Sequence, residues 1–221
     1  MKDWSATRRA AAALTRLNQV MAGTQLTDAE LDSLANEADA LTARFEGGAP
    51  RAKLDDMMTR PHLARLYRGE HAPLQLEIGD AIEFDPFSIA GGDLHPASMG
   101  LVFRKTSDTT VEATGVIDPM FSGPPERIHG GVQALIADEL MGAVNRMLGR
   151  QAFTARLTVN YRGPAPIGHE VTFRAWLHDV DGRKVTVLAE GHGPDGLFMD
   201  ADGLFIARRE NTDPLTGQPL G

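Results

Sequence analysis

The 221-residue chain contains no cysteine, which excludes a disulfide frame, thiolate metal sites and a cysteine nucleophile together. No apolar run approaches the ~18–20 residues of a membrane span, so no membrane partner is expected. Basic charge is also short: 22 Lys and Arg stand against 30 Asp and Glu, a formal charge of −8. A nucleic-acid partner needs a dense basic face, and none is present, so a small-molecule partner is expected instead. The Gly-x-Ser-x-Gly elbow of many serine hydrolases is missing. The seven histidines include no His-x-x-x-His pair, so no metal site is expected.

Two apparent motifs dissolve on inspection. Gly191-His192-Gly193-Pro194-Asp195-Gly196 fits G-x-G-x-x-G, but it joins two strand-like segments with no helix behind it and reads as a turn. Asp200-Ala201-Asp202-Gly203 opens like a calcium loop and lacks both the oxygen ligand at the fifth position and the closing Glu.

What is present is a core, since 42% of the residues are hydrophobic, enough for one domain with an appendage. At the start, Arg8 and Arg9 precede an alanine run that Arg16 interrupts before signal-peptide length. A surface helix is expected there, with a transit peptide as the alternative, and a reducing cytoplasm fits the composition. Ala10, Leu14, Leu17 and Met21 line one helical face over residues 5–22. The box Thr27-Asp28-Ala29-Glu30 then opens a second helix that stops at Gly47-Gly48, and two such helices predict an antiparallel hairpin. Residues 49–80 carry Pro50, Pro61 and Pro73 and suggest a short helix at 54–58 or at 62–67.

Beyond residue 80 the period becomes strand-like. Segments 99–104 and 110–117 read as a hairpin, and 154–161, 170–178, 184–191 and 197–208 read as a four-strand meander. Between these two groups lies the best core helix, residues 131–148, with Val132, Ile136, Leu140, Ala143, Val144 and Met147 on one side. Its entry, His129-Gly130-Gly131, leaves backbone N–H groups without intrahelical partners, an end suited to negative charge such as a carbonyl oxygen under attack. Asp138 and Glu139 interrupt the apolar run. On a helical wheel Glu139 lies nearer the buried stripe, so periodicity does not choose between them. Strands, one long helix and more strands predict an α+β fold with an antiparallel sheet wrapped around the helix.

His-Gly-Gly, an acid nine residues after the His, a Gly thirteen after it, the run Thr154 to Pro166 and the segment Gly203-Leu204-Phe205-Ile206 together resemble the hotdog-fold acyl-CoA thioesterases of the phenylacetate-pathway and THEM type. The resemblance spans about residues 83–208. It implies a hotdog domain (81–209), whereas the helical patterns ahead of it make residues 1–80 a helical N-terminal extension outside the resemblance, and the Asn, Asp, Pro, Gly and Gln content of 210–221 predicts a flexible tail. The resemblance also implies hydrolysis of an acyl-CoA thioester without a cofactor, with the alternatives of a non-catalytic acyl-CoA-binding hotdog protein or an acyl thioester hydratase or dehydratase. Residue by residue it places the catalytic acid on Asp138, the oxyanion donor on Gly130 and a polar helper on Thr154. His129 then fixes the turn, and Gly131 and Glu139 stand beside them as substrate-binding candidates. Sites are implied at the interface of a homo-oligomer, dimer or tetramer.

Overall fold

A computed structural model describes residues 3–82 and 85–209, so the expected tail at 210–221 lies outside the described residues. Four helices come first: α1 (Ser5–Gly23), α2 (Asp28–Phe45), α3 (Lys53–Met58) and α4 (Pro61–Tyr67). Strands β1 (Val102–Lys105) and β2 (Thr110–Val116), a 3-10 turn at Pro119–Phe121 and the long helix α5 (Gly130–Met147) follow. The chain continues through β3 (Ala152–Tyr161), β4 (Glu170–Asp181), β5 (Lys184–Gly193) and β6 (Gly196–Ala207).

The sheet has six antiparallel strands in the order β1-β2-β4-β5-β6-β3, and α5 lies across it. This is the hotdog arrangement. The helix face Ile136, Ala137, Leu140, Met141, Ala143 and Val144 is fully buried. Each larger side chain there contributes about 1.5–3 kcal/mol by leaving water. On the strands, Ala175, Ala189 and Ala201 stand in one cross-strand row, so short side chains let the helix sit close to the middle of the sheet. At Gly203 a Cβ would meet the Met141 sulfur at 2.5 Å.

The expected four-strand meander is corrected. Only β4, β5 and β6 run as consecutive neighbours, while β3 pairs with β6 at the far edge. Residues 162–169 join β3 to β4, and such a stretch can reach about 26 Å when extended. Crossing from β3 to the β4 position needs only three strand spacings, about 14 Å. A hairpin turn would have been shorter. The crossover places β4 against β2, where Ala113 and Phe173 face one another.

The helix begins at Gly130, one residue ahead of the expectation, because the His129 side chain caps it by accepting from the Gly131 N–H at 2.9 Å. The expected α1–α2 hairpin is also corrected. The capping box at Thr27 and Glu30 forms, yet α2 buries no residue and leaves Leu31, Leu41 and Phe45 exposed. Helix α1 instead packs on the 3-10 turn and buries Trp4 and Ala11 near its start. Trp4 meets Phe87 edge to face at 5.6 Å, with the Arg51 guanidinium over both rings. Both short helices of residues 49–80 form, and Leu63 and Leu66 of α4 are buried.

The segment after α4 is fastened to the end of α5. The N–H groups of Ala72 and Leu74 donate to the carbonyls of Gly149 and Met147 at 3.2 and 3.1 Å. Gly149 permits the approach: its φ is +72° and a Cβ would lie 2.2 Å from the Pro73 nitrogen. Among the described residues, no helix is long and apolar enough to cross a membrane.

Candidate active site

Helix α5 presents its two neighbouring acids to different surroundings, because consecutive helical residues point about 100° apart. Asp138 faces β3, where the Thr154 hydroxyl donates to its Oδ1 at 2.7 Å. Thr154 reaches it through a register shift in β3. Pairing with β6 passes from Thr154↔Phe205 to Arg156↔Leu204, leaving Ala155 as an extra residue. The extra residue changes the phase of the strand. Leu157 and Val159 pack against the core and Tyr161 reaches the helix, all odd positions, while before the bulge Ala152 and Thr154 take the helix side. Strict alternation would turn the Thr154 hydroxyl away from Asp138.

Glu139 points to the loop before β1. It accepts from the Ser88 hydroxyl, from the Ala90 N–H at 3.0 Å and from the Ile89 N–H at 3.3 Å. These partners make it the anchor of residues 88–90 on α5. Burial raises its pKa above the ordinary value, against the three hydrogen bonds, which lower it. A carboxyl with a raised folded pKa contributes stability that is complete below its unfolded pKa and is lost as pH rises through the folded one. Glu139→Gln keeps one acceptor oxygen for Ser88 and Ala90 and sets an amide NH2 against the Ile89 N–H. The melting temperature is expected to fall by about 2–6 °C, from a loss of ~1–2 kcal/mol. The gap from wild type should be wider at about pH 4 than at about pH 8. Equal gaps in thermal melts at both would sink the account of Glu139 as a buried, ionising anchor.

A cavity of about 280 Å³ opens beside Asp138 and Thr154. Leu66 and Tyr67 of α4 wall it on one side, Phe153 and Phe205 line it from the sheet, and Arg146 and Arg150 supply cationic groups. Burial lowers the Arg146 pKa from its ordinary value, with Tyr67 and Asp85 acting in the opposite sense.

At the other end of the visible face lies the start of α5. His129 takes the Gly131 N–H, and Val132 and Gln133 donate to the His129 carbonyl. Among the described residues no acceptor meets the Gly130 N–H. The Tyr161 hydroxyl donates to the Gly130 carbonyl at 2.8 Å, and a Cβ at Gly130 would lie 3.1 Å from that hydroxyl. Tyr161 is a residue that the sequence did not single out. A cavity of about 390 Å³ opens here, lined by Gly130, Arg127, Gln133, Tyr161 and Arg162. Arg162 is paired with Asp200, and Arg156 with Asp202 at 2.9 Å. The acids of the calcium-like segment are thus strand residues of β6 that hold Arg156 of β3 and Arg162 just beyond it, and hydrogen bonding from Arg162 and then Asn160 lowers the Asp200 pKa.

Residues 126–197, which carry the His129 turn, both acids and Thr154, match the thioesterase superfamily. The match covers about a third of the chain. Its curated relatives include the acyl-coenzyme A thioesterase THEM4 of Xenopus laevis, 36% identical over 90 residues, and that of Mus musculus, 33% identical over 96. The matches cover 40% and 42% of this chain and 40% and 41% of the relatives, so the chain matches about two-fifths of those proteins' length. A crystal structure of a thioesterase superfamily protein superposes with a TM-score of 0.72 at 27% identity, covering 92% of each chain. That coverage leaves too few residues outside to omit the N-terminal helices, so the likeness reaches beyond residues 126–197.

Proposed function

We propose that the protein hydrolyses an acyl-CoA thioester to the free acid and CoA. The observation that carries this reading is the Thr154–Asp138 hydrogen bond on a cavity wall, together with the unsatisfied N–H of Gly130 at the helix start. Asp138, held by Thr154, takes a proton from a water, or attacks the thioester carbon itself. In the first course the hydroxide adds to the carbon, and the carbonyl oxygen becomes an oxyanion that accepts from the Gly130 N–H. Collapse breaks the carbon–sulfur bond, and the departing thiolate takes the proton from Asp138. His129 and Tyr161 hold the turn that aims the donor, and Gly131 serves it through its bond to His129.

One chain does not bring these groups to one carbonyl. Gly130 and Asp138 are separated by eight helical residues, about 12 Å along the axis, whereas donor and base must each lie about 3 Å from the reacting atoms. The site is therefore built from two copies, Gly130 of one with Asp138 and Thr154 of the other. Support comes from β3: it is one of the two outer strands, with Phe153 and Tyr161 exposed and one edge open to pairing. A two-fold contact there is self-complementary and yields two equal sites.

A panel of acyl-CoA esters from acetyl to palmitoyl, with phenylacetyl included, tests the activity by release of free thiol. At least one should be turned over. Hydrolysis of none would leave an acyl-CoA-binding protein as the reading. Thr154→Val keeps the β-branched shape and removes the hydroxyl. A hydrogen bond to a charged group is worth about 1.5–3 kcal/mol, so kcat should fall ~10–100-fold while the melting temperature of this exposed position holds.

A further inference from the structure

The cavity at Asp138 does not end at Arg150. Leu66, Arg150 and Gln151 also line a second cavity of about 580 Å³, set between the turn after α4, the end of α5 and the β4–β5 hairpin. The character of this second space is cationic. Arg150, Arg183, Arg208 and Arg209 face it, and among the described residues Glu70 is its one carboxylate. Glu70 is already paired with Arg65, at 2.8 Å. Such a concentration of guanidinium groups is unexpected in a chain whose formal charge is −8.

Two of these arginines matter most, Arg183 and Arg150. The Arg183 Nε donates to the Ala207 carbonyl at 2.8 Å, a neutral acceptor that fixes the side chain and leaves the outer nitrogens available. The Arg150 Nη1 is buried and has no hydrogen-bond partner among the described residues. A buried donor without an acceptor costs free energy that a bound anion would recover. Among the described residues neither arginine has an ion-pair partner. Arg208 is positioned by the Tyr67 carbonyl at 2.8 Å, which ties the groove to the N-terminal extension. The end of α5 does not oppose an anion strongly, since its Met147 and Gly149 carbonyls are taken by Leu74 and Ala72.

We infer that this groove is a phosphate-binding site, and that it holds the phosphate groups of the substrate's CoA carrier while the thioester lies at Asp138. Guanidinium forks match phosphate oxygens in pairs, and low-dielectric walls of one charge sign concentrate an anion. The acyl-thioester reading supplies the carrier, so this inference rests on it. The groove itself is an independent claim about Arg150, Arg183 and their neighbours. The N-terminal extension then has a binding role, because residues 66–71 complete the groove.

The test uses the full chain and calorimetric titration at low ionic strength, first with inorganic pyrophosphate and then with CoA and pantetheine. Wild type should bind pyrophosphate and CoA. Arg150→Gln and Arg183→Gln, made singly so that either can be read if the other does not fold, should each weaken both by about 10-fold or more, the loss of a charged hydrogen bond. Pantetheine, which lacks phosphate, should bind wild type and the Arg183 variant alike. Pyrophosphate that fails to bind wild type, or binds both folded variants equally, overturns the groove even if thioesters are hydrolysed. Pyrophosphate binding lost in the variants, in a protein that neither binds CoA nor turns over any thioester, keeps the phosphate site and removes both the carrier and the activity.

Discussion

Asp138→Asn is expected to lower kcat by ~10²–10⁴-fold, the range of a lost general base, with little change in melting temperature. The substitution keeps the side-chain shape and the acceptor oxygen for Thr154, so the 2.7 Å hydrogen bond can persist. What it removes is the group that takes the proton. A nucleophilic role for Asp138 predicts a fall of the same size, and isotope labelling separates the two. Single turnover in ¹⁸O-water puts ¹⁸O into the product alone if water attacks the thioester, and label in Asp138, from opening of an anhydride at the aspartyl carbonyl, is the outcome that only the nucleophilic role gives. Asp138→Asn with unchanged kcat would remove Asp138 from the chemistry. If Glu139→Gln abolished turnover in its place, the acid would be one position along, against the hydrogen bonds that occupy Glu139.

The second large effect is expected at Gly130. Gly130→Pro deletes the N–H altogether, and losing one oxyanion donor costs roughly 10²–10³-fold in kcat. Proline is tolerated at the first helical position, but its Cβ would press on Tyr161, so melting curves must accompany the kinetics. The two variants together give a sharper result than either alone. Co-expressed Asp138→Asn and Gly130→Pro chains, if sites are shared across a two-fold, form mixed dimers with one intact site each. Random assembly then restores about a quarter of wild-type activity. No recovery from two inactive, folded partners would show that one chain carries its whole site.

The helix α5 was legible because six apolar residues recur on one face, and its entry because two glycines follow His129. The choice between Asp138 and Glu139 was not legible from periodicity. It depended on Ser88, Ile89 and Ala90, about fifty positions away in sequence and supplied by a loop with no pattern of its own. Thr154 is a candidate only through resemblance, and the reason it faces the helix, the extra Ala155, leaves no signal in a simple alternation. Tyr161 read as an ordinary strand aromatic because its task is visible only once β3 is beside the helix start. The meander failed for a related reason: adjacency in sequence is not adjacency in the sheet, and Gly163-Pro164, which has the composition of a turn, is part of a crossover. The α1–α2 hairpin failed because Trp4 and Ala11 find cover elsewhere.

The fastening of residues 72–74 to the end of α5 has a kinetic side. Those two hydrogen bonds close a long loop of chain, and closing it costs entropy that is repaid only after both anchoring pieces exist. Helix α5 and its sheet therefore assemble first, and α4 docks onto a finished surface. The reverse holds in the native protein, where the docked segment opens before the sheet does. Hydrogen exchange would register this as faster loss of protection at Ala72 and Leu74 than in β4 and β5. Each such opening would unwall the Asp138 cavity, which Leu66 and Tyr67 line, without unfolding the sheet.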